Sequence, residues 1–401
     1  MLIVQKYGGT SVGSVERIEA VADRVARTIK AGHSCAVVVS AMGHTTDELV
    51  TLAKAITRDA DPREMDALLS TGEQVSASLL AMALQTRGLQ ARSFTGWQAG
   101  IFTEPVHGNA RLLHIDSDAL NRVIGQGIVP VITGFQGISG DRVTTLGRGG
   151  SDTSAVAVAA ALEADLCEIY TDVKGVYTTD PRVVKAARKL ETISYDEMLE
   201  LATLGAQVLH PRAVENAKQF GVRLVVRSSF HDEEGTVVME ATSGFELREA
   251  VTGIAFEREV ARVAVVGVPL QRHGLATVFK RLASDGVNVD VIVQSVVGTD
   301  VVDVSFTVKE EDADRTVRIV RELQPELSFH DIVCETGLGK VSIVGAGMIS
   351  NPGVAAQMFE VMAGADIPIA MVSTSEIKVS CIVQADAVER AVKELHAAFL
   401  E

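Results

Sequence analysis

Over about its first 230 residues the chain alternates between short apolar runs and stretches of helical periodicity. The runs are LIVQ, CAVVVSAM, IVPVITGF, CEIYTDV and VRLVVRSS. They are dense in Val and Ile and lack strict in/out alternation, as strands do when helices cover both faces of a parallel sheet. One intervening stretch, SVERIEAVADRVARTIKAG, sets Ile18, Val21, Val25 and Ile29 on a single stripe, with Ser14 placed to cap the start and Gly32 just past the end. Repetition of strand, helix and strand predicts an α/β fold, an αβα sandwich centred on a parallel sheet. In such sheets ligands bind beyond the carboxyl ends of the strands.

The polar segment HDEEGTVVMEATSGFELREA, residues 231–250, breaks this rhythm and reads as a boundary. Beyond it the chain repeats itself. RVAVVGVPLQRHGLATVFKRLASDGVNVDVIVQS, from Arg262, parallels KVSIVGAGMISNPGVAAQMFEVMAGADIPIAMVSTS, from Lys340: strand, glycine turn, helix, short turn, strand. Two such copies read as paired ligand-sensing or assembly modules. With 401 residues, too many for one core, the expected domains are 1–245, 260–335 and 338–401.

A formal charge of −15 argues against a nucleic-acid surface, which needs an excess of Lys and Arg. Cys35, Cys167, Cys334 and Cys381 are scattered, with no CxxC and no metal-ligand spacing, so the thiols read as structural and reduced. The start, MLIVQKYGGTS, has no signal-peptide pattern, and no apolar run has the length of a membrane span. These features predict a cytoplasmic protein without membrane or nucleic-acid partners.

The turn in VTTLGRGGSDTSAVAVAAAL, residues 143–162, brings Gly147, Gly149 and Gly150 to the start of an alanine-rich helix. Glycines let backbone N–H groups approach a ligand, and a helix start carries unpaired donors and partial positive charge, so the expected guest is an anion. Three other strand ends carry similar sets. QKYGGTS supplies Lys6, Gly8 and Gly9; SAMGHTTDEL supplies Ser40 and Thr46; STGEQ supplies Glu73 near a helix start. Singly, Lys6 is a solvated strand-end lysine, and Glu73 and Asp152 are first-turn helix acids. Jointly, cations and fixed donors converging on one sheet edge fit phosphoryl transfer. No GxxxxGK[ST], HRD or DFG sequence occurs, so neither the P-loop nor the protein-kinase plan applies.

KYGGTS at 6–11, SAMGHTTDEL at 40–49, STGEQ at 70–74, GRGGSD at 147–152 and TDVKGVYTTDPR at 171–182 together resemble the aspartokinase family. The resemblance spans the chain and implies an amino-acid-kinase fold followed by two ferredoxin-like α+β ACT domains. It implies ATP-dependent phosphorylation of the side-chain carboxylate of L-aspartate to 4-phospho-L-aspartate, the first step of lysine, threonine and methionine biosynthesis. Under it, Lys6 contacts the transferring phosphate with Asp152 as its partner. Arg148 clamps the substrate α-carboxylate, Glu73 receives the α-ammonium, and Ser40, Thr46, Gly149, Gly150 and Ser151 add hydrogen bonds. ATP falls to Lys6, Tyr7, Gly8, Gly9, Thr171, Asp172, Tyr177 and Arg182, with Mg2+ carried by the nucleotide and water instead of a protein cage.

The ACT pair implies an amino-acid effector, lysine or threonine, at Asn288, Asp290 and Gln294 in the first copy and Thr374, Ser375 and Glu376 in the second. It also implies a homo-oligomer through the ACT domains, or an α2β2 assembly with a separate regulatory chain. Two departures stand out. Gln207 replaces a residue commonly basic in the family, and QRHG at 271–274 replaces the DxPG loop, which predicts weak or altered inhibition. Two other readings are a kinase of the same fold acting on glutamate, N-acetylglutamate or a nucleotide, and a catalytically silent amino-acid sensor. Glu73 and Arg148 disfavour the first, and intact Lys6, Arg148 and Asp152 the second.

Overall fold

The computed structural model describes residues 1–205, 208–241, 249–270, 273–297 and 300–401. Gln207 and the Gln271 and Arg272 half of QRHG therefore lie outside the described residues. The chain divides into two compact units. Met1–Val176, Lys189–Thr203 and Gln207–Ser243 form the first; Tyr177–Arg188, Leu204–Ala206 and Gly244–Glu401 form the second.

The first unit opens with β1 (Leu2–Tyr7), α1 (Val15–Lys30), β2 (Ser34–Val39), α2 (Thr45–Ile56), α3 (Pro62–Leu69) and α4 (Thr71–Gln85). It continues through β3 (Ala91–Phe94), β4 (Ile101–Thr103), β5 (Leu112–Ile115), α5 (Asp118–Gly125), β6 (Val129–Thr133), β7 (Gln136–Ser139) and β8 (Arg142–Thr145). α6 (Gly150–Ala161), β9 (Leu166–Thr171), β10 (Thr192–Ser194), α7 (Tyr195–Thr203), α8 (Pro211–Phe220), β11 (Leu224–Ser228) and β12 (Thr236–Met239) complete it. The main sheet has the order β10-β12-β11-β9-β1-β2-β6-β3. Every pairing in it is parallel except β11 with β12. The five apolar runs supply β1, β2, β6, β9 and β11. A second small sheet, β5-β4-β7-β8, has weaker patterning and was not legible in the sequence.

α1 forms as its periodicity demands. Ser14 accepts a hydrogen bond from Arg17 N at 3.3 Å, and Ile18, Val21 and Val25 are buried against the sheet with Tyr7 and Tyr170. The stretch from Pro62 to Gln85, α3 plus α4, is apolar and long enough to cross a membrane by length and composition alone. Ala77, Leu80 and Leu84 of α4 lie in the same core as α1, which accounts for that apolar character within the fold.

The second unit contains β13 (Gly253–Pro269), α9 (Gly274–Ser284), β14 (Ile292–Val297), β15 (Val301–Lys309), α10 (Ala313–Glu322) and α11 (Gln324–Leu327). β16 (Asp331–Val344), α12 (Val354–Gly364), β17 (Met371–Thr374), β18 (Lys378–Gln384) and α13 (Val388–Leu400) follow. The two repeats share one six-stranded antiparallel sheet, β14-β15-β13-β16-β18-β17. β13 and β16 each run through both copies. Residues 253–257 pair with 340–344 of the second copy, whereas 262–266 pair with 331–335 of the first. The expected limits at 260, 335 and 338 thus fall inside or against continuous strands, because backbone pairing carries on where sequence similarity stops.

The expected first domain, 1–245, differs from the first unit at residues 177–188. Val184 of that segment is buried with Val251, Ile254, Met358 and Leu395, and Thr178 Oγ1 lies 3.0 Å from Nε2 of the fully buried His396. Apolar burial draws these twelve residues into the second unit although the chain on either side belongs to the first.

Candidate active site

Side-chain alternation along β1 separates the site from the core. Gln5 and Tyr7 face α1: Gln5 Nε2 donates to Thr28 Oγ1 at 3.0 Å, and Tyr7 stacks on Tyr170 with ring centres 4.7 Å apart. Lys6 faces the other way and meets Asp152 of α6 at 2.6 Å, both residues being buried. The contact lies off the direction of an aligned hydrogen bond, so charge holds the pair. A lysine so placed keeps its ammonium ready for an anion while the carboxylate offsets its desolvation. Tyr7 is corrected accordingly: its side chain has no exposed surface and faces away from Lys6, leaving only its backbone near the glycine turn.

Lys6 and Asp152 line a cavity of about 810 Å3 together with Ser40, Thr46, Glu73, Arg148 and Ser151. Gly149 and Gly150 border it as well, so every residue assigned to catalysis or substrate binding in the sequence converges on one space. Gly149 takes φ 66°, and a Cβ there would lie 2.1 Å from Cγ of His210. Only glycine satisfies both the left-handed backbone and that contact. His210 caps α8, its Nδ1 accepting from Arg212 N at 3.3 Å, and burial lowers its pKa. A neutral imidazole thus shapes the turn.

Glu73 is the least satisfied polar group in the cavity. It is 3% exposed; Oε1 accepts from Ala41 N at 3.2 Å, and Oε2 is buried without a hydrogen-bond partner. Burial pushes its carboxyl up to about 8, against the lowering effect of hydrogen bonds from its own N–H and that of Ala41. Arg148 is exposed to the same cavity, and among the described residues no hydrogen bond or ion pair engages its guanidinium. An acceptor awaiting a cation and a free guanidinium fork thus share the cavity with a Lys–Asp pair. A zwitterionic amino acid carrying a further anionic group meets all three.

Beside this, Gly8 N donates to Tyr170 O at 3.2 Å, and a Cβ at Gly8 would come within 3.3 Å of Lys6 Nζ. Glycine at this position spares the ammonium that close contact, and Thr171 and Asp172 sit at the end of β9, the strand paired beside β1. Tyr177 and Arg182 belong to the second unit, with Arg182 forked onto Asp180 at 2.7 and 3.0 Å. Asn288, Asp290 and Gln294 cluster at β14, whereas Thr374, Ser375 and Glu376 lie at the β17–β18 hairpin, on the opposite edge of the sheet. The structure does not bring the two sets together, and Asp290 is already ion-paired to the buried Lys340.

Sequence reasoning missed Asp66 of α3. This carboxylate, 1% exposed, accepts from Thr145 Oγ1 at 2.5 Å and from Gly108 N at 3.1 Å, and pairs with His107 Nδ1 at 2.7 Å. An acid in a short helix has no local signal for such a role.

A family model for the amino acid kinase family matches residues 1–228, and one for the ACT domain matches residues 341–399. An aspartokinase from Bacillus sp. strain MGA3 is 57% identical over 399 residues, 99% of this chain and 97% of that protein. The chain belongs to the aspartokinase family. Aspartokinase 2 of Bacillus subtilis is likewise 57% identical over 99% of the chain and 97% of its own length. Among solved structures, E. coli aspartokinase III in complex with aspartate and ADP, described as the R-state, superposes with a TM-score of 0.83 at 28% identity, each chain covered completely. The same enzyme with lysine and aspartate, described as the T-state, gives 0.77 at 28% identity, again with each chain covered completely.

Proposed function

We propose that this chain transfers the γ-phosphoryl group of ATP to the side-chain carboxylate of L-aspartate, giving 4-phospho-L-aspartate and ADP. One observation carries the substrate: Glu73 Oε2, buried and unpartnered, lies in one cavity with the free Arg148 and with Lys6–Asp152. Glu73 takes the α-ammonium and Arg148 the α-carboxylate, which leaves the side-chain carboxylate for Lys6. Ser40, Thr46 and Ser151 add hydrogen bonds. A relative solved with aspartate and ADP supports the pairing of substrates.

The reaction forms one bond, from a carboxylate oxygen to the γ-phosphorus, and breaks one, from that phosphorus to the bridging oxygen that leaves with ADP. Aspartate's carboxylate is already ionised near neutral pH, so no general base is needed. Two anions must instead be held in line. Lys6 Nζ offsets charge on the transferring phosphoryl group, and Asp152 keeps the ammonium in place. No cluster of three or more His, Cys, Asp or Glu suited to a metal occurs among the described residues. Mg2+ would be carried by the phosphate oxygens of the nucleotide, and the chemistry it would supply is charge neutralisation.

Thr171 and Asp172 are assigned to the nucleotide. Lysine or threonine is assigned as effector of the ACT sheet, supported by the lysine complex of a relative, and a homo-oligomer is the proposed working form in the cytoplasm. A hydroxamate assay for acyl phosphate with aspartate, glutamate and N-acetylglutamate plus MgATP tests the reading. Product with aspartate alone is expected, and turnover of either alternative in preference to aspartate overturns it.

A further inference from the structure

Arg212 stands at the start of α8, behind the glycine turn, and is only partly exposed. Among the described residues no carboxylate is hydrogen-bonded to it. Its Nη1 donates to Leu146 O at 2.7 Å and to Asn109 Oδ1 at 3.1 Å, and its Nη2 donates to Ala110 O at 2.9 Å. All three acceptors are neutral. Burial lowers its pKa, with Arg111 acting in the same direction and Glu215 and Glu104 in the other. Arginines this buried usually meet an acid, because taking the charge from water is costly. This one holds two loops together instead.

The acceptors identify the loops. Leu146 lies two residues before Arg148; Asn109 and Ala110 belong to the β4–β5 connection. Asn109 in turn fills the space beside Gly147, where a Cβ would come 2.8 Å from Asn109 Oδ1. On the far side the same connection is held by Asp66, through Gly108 N and His107. The Arg148 turn is thereby held against a loop that is itself tied at two points. A planar fork with fixed donor directions spans three oxygens on two segments, and a lysine ammonium at the end of a flexible stem does not.

We propose that Arg212 is a positioning residue for recognition of the amino-acid substrate: its fork fixes the 146–149 turn so that Arg148 meets the α-carboxylate. The role rests on the assignment of Arg148 made above.

The test compares Arg212→Lys, Arg212→Met, Arg148→Ala and the Arg148→Ala/Arg212→Met double variant in full-length protein, measuring KM for aspartate, KM for ATP, kcat and melting temperature. Both Arg212 variants are expected to raise KM for aspartate about ten-fold or more while KM for ATP stays within about two-fold. In the Arg148→Ala background, Arg212→Met is expected to add no further rise, since it acts through the side chain already removed. Recovery of the wild-type aspartate KM by Arg212→Lys, equal rises in both KM values, or full additivity in the double variant overturns the proposal. An unchanged aspartate KM in Arg148→Ala overturns the underlying assignment instead. Should Arg212→Met fail to fold, Asn109→Ala removes one of the three acceptors; a smaller rise confined to aspartate supports the role, and no rise opposes it.

Discussion

Two cavities of the first unit have about the same volume, roughly 810 Å3, and both are lined by cationic side chains. In the one beside α1, Arg24 and Arg27 pair with Asp232 at 2.9 and 3.1 Å, and Arg87 pairs with Asp23 at 2.7 Å. Its arginines are already neutralised. In the other, Arg148 has no partner among the described residues, Glu73 Oε2 has no hydrogen-bond partner, and the Lys6–Asp152 pair is buried. Size does not separate the two; the valence left open by the fold does. A group buried without a partner carries a desolvation cost that a ligand removes, and only the second cavity contains one.

That contrast is broken most directly at Lys6. Lys6→Met should lower kcat about a thousand-fold or more with the fold retained, because charge stabilisation does most of the work in phosphoryl transfer. Single-turnover acyl-phosphate formation measures it, and near-normal turnover would remove the reason for preferring this cavity.

Glu73→Gln comes next. Replacing the proposed ammonium acceptor by a neutral amide should raise KM for aspartate about ten- to a hundred-fold, with KM for ATP little changed. The pH profile sharpens the point. With its carboxyl pushed up to about 8, free wild-type enzyme holds Glu73 largely protonated near neutrality, and an incoming ammonium favours ionisation. The wild-type KM for aspartate should therefore fall as pH rises from 6 toward 8, and the Gln variant should lose that slope.

A smaller effect concerns stability without substrate. Between the ordinary value of 4.5 and about 8, the unfolded chain has released a proton that the folded chain retains. Stability from this group is thus complete below the lower value and declines as pH rises through the window. The melting temperature of Glu73→Gln relative to wild type should climb between pH 5 and pH 8; calorimetry showing a flat difference would contradict the buried, unpartnered carboxyl. The smallest effect belongs to the other cavity, where Arg27→Ala should leave kcat/KM for both substrates within about two-fold, since the Arg27–Asp232 pair is exposed and such pairs contribute little. A ten-fold loss would show that this cavity takes part in the reaction after all.

Much of this was legible in the residues. Runs such as CAVVVSAM specify strands covered on both sides, and the stripe of Ile18, Val21, Val25 and Ile29 specifies the helix that covers them, because periodicity is a local property of the chain. That Lys6, Glu73, Arg148 and Asp152 meet at one cavity was legible because each sits at an element end with glycines or helix-start residues around it. Tyr7 was misplaced because adjacent strand residues point to opposite faces, and a motif read as a string ignores that. Asp66 and the Arg212 fork gave no usable signal: their partners lie 79 and 66 residues away in Thr145 and Leu146.

Local pattern therefore accounts for the layered architecture, the repeat and the residue types that meet at the strand ends. Which valences remain open there depended on long-range packing. Whether a carboxylate is paired, solvated or stranded is set by neighbours distant in the chain, and the same holds for residues 177–188, whose apolar side chains found their core in the second unit. Hydrophobic burial is non-directional and acts on whatever the folded chain brings near, so it placed that segment where no sequence boundary marked it.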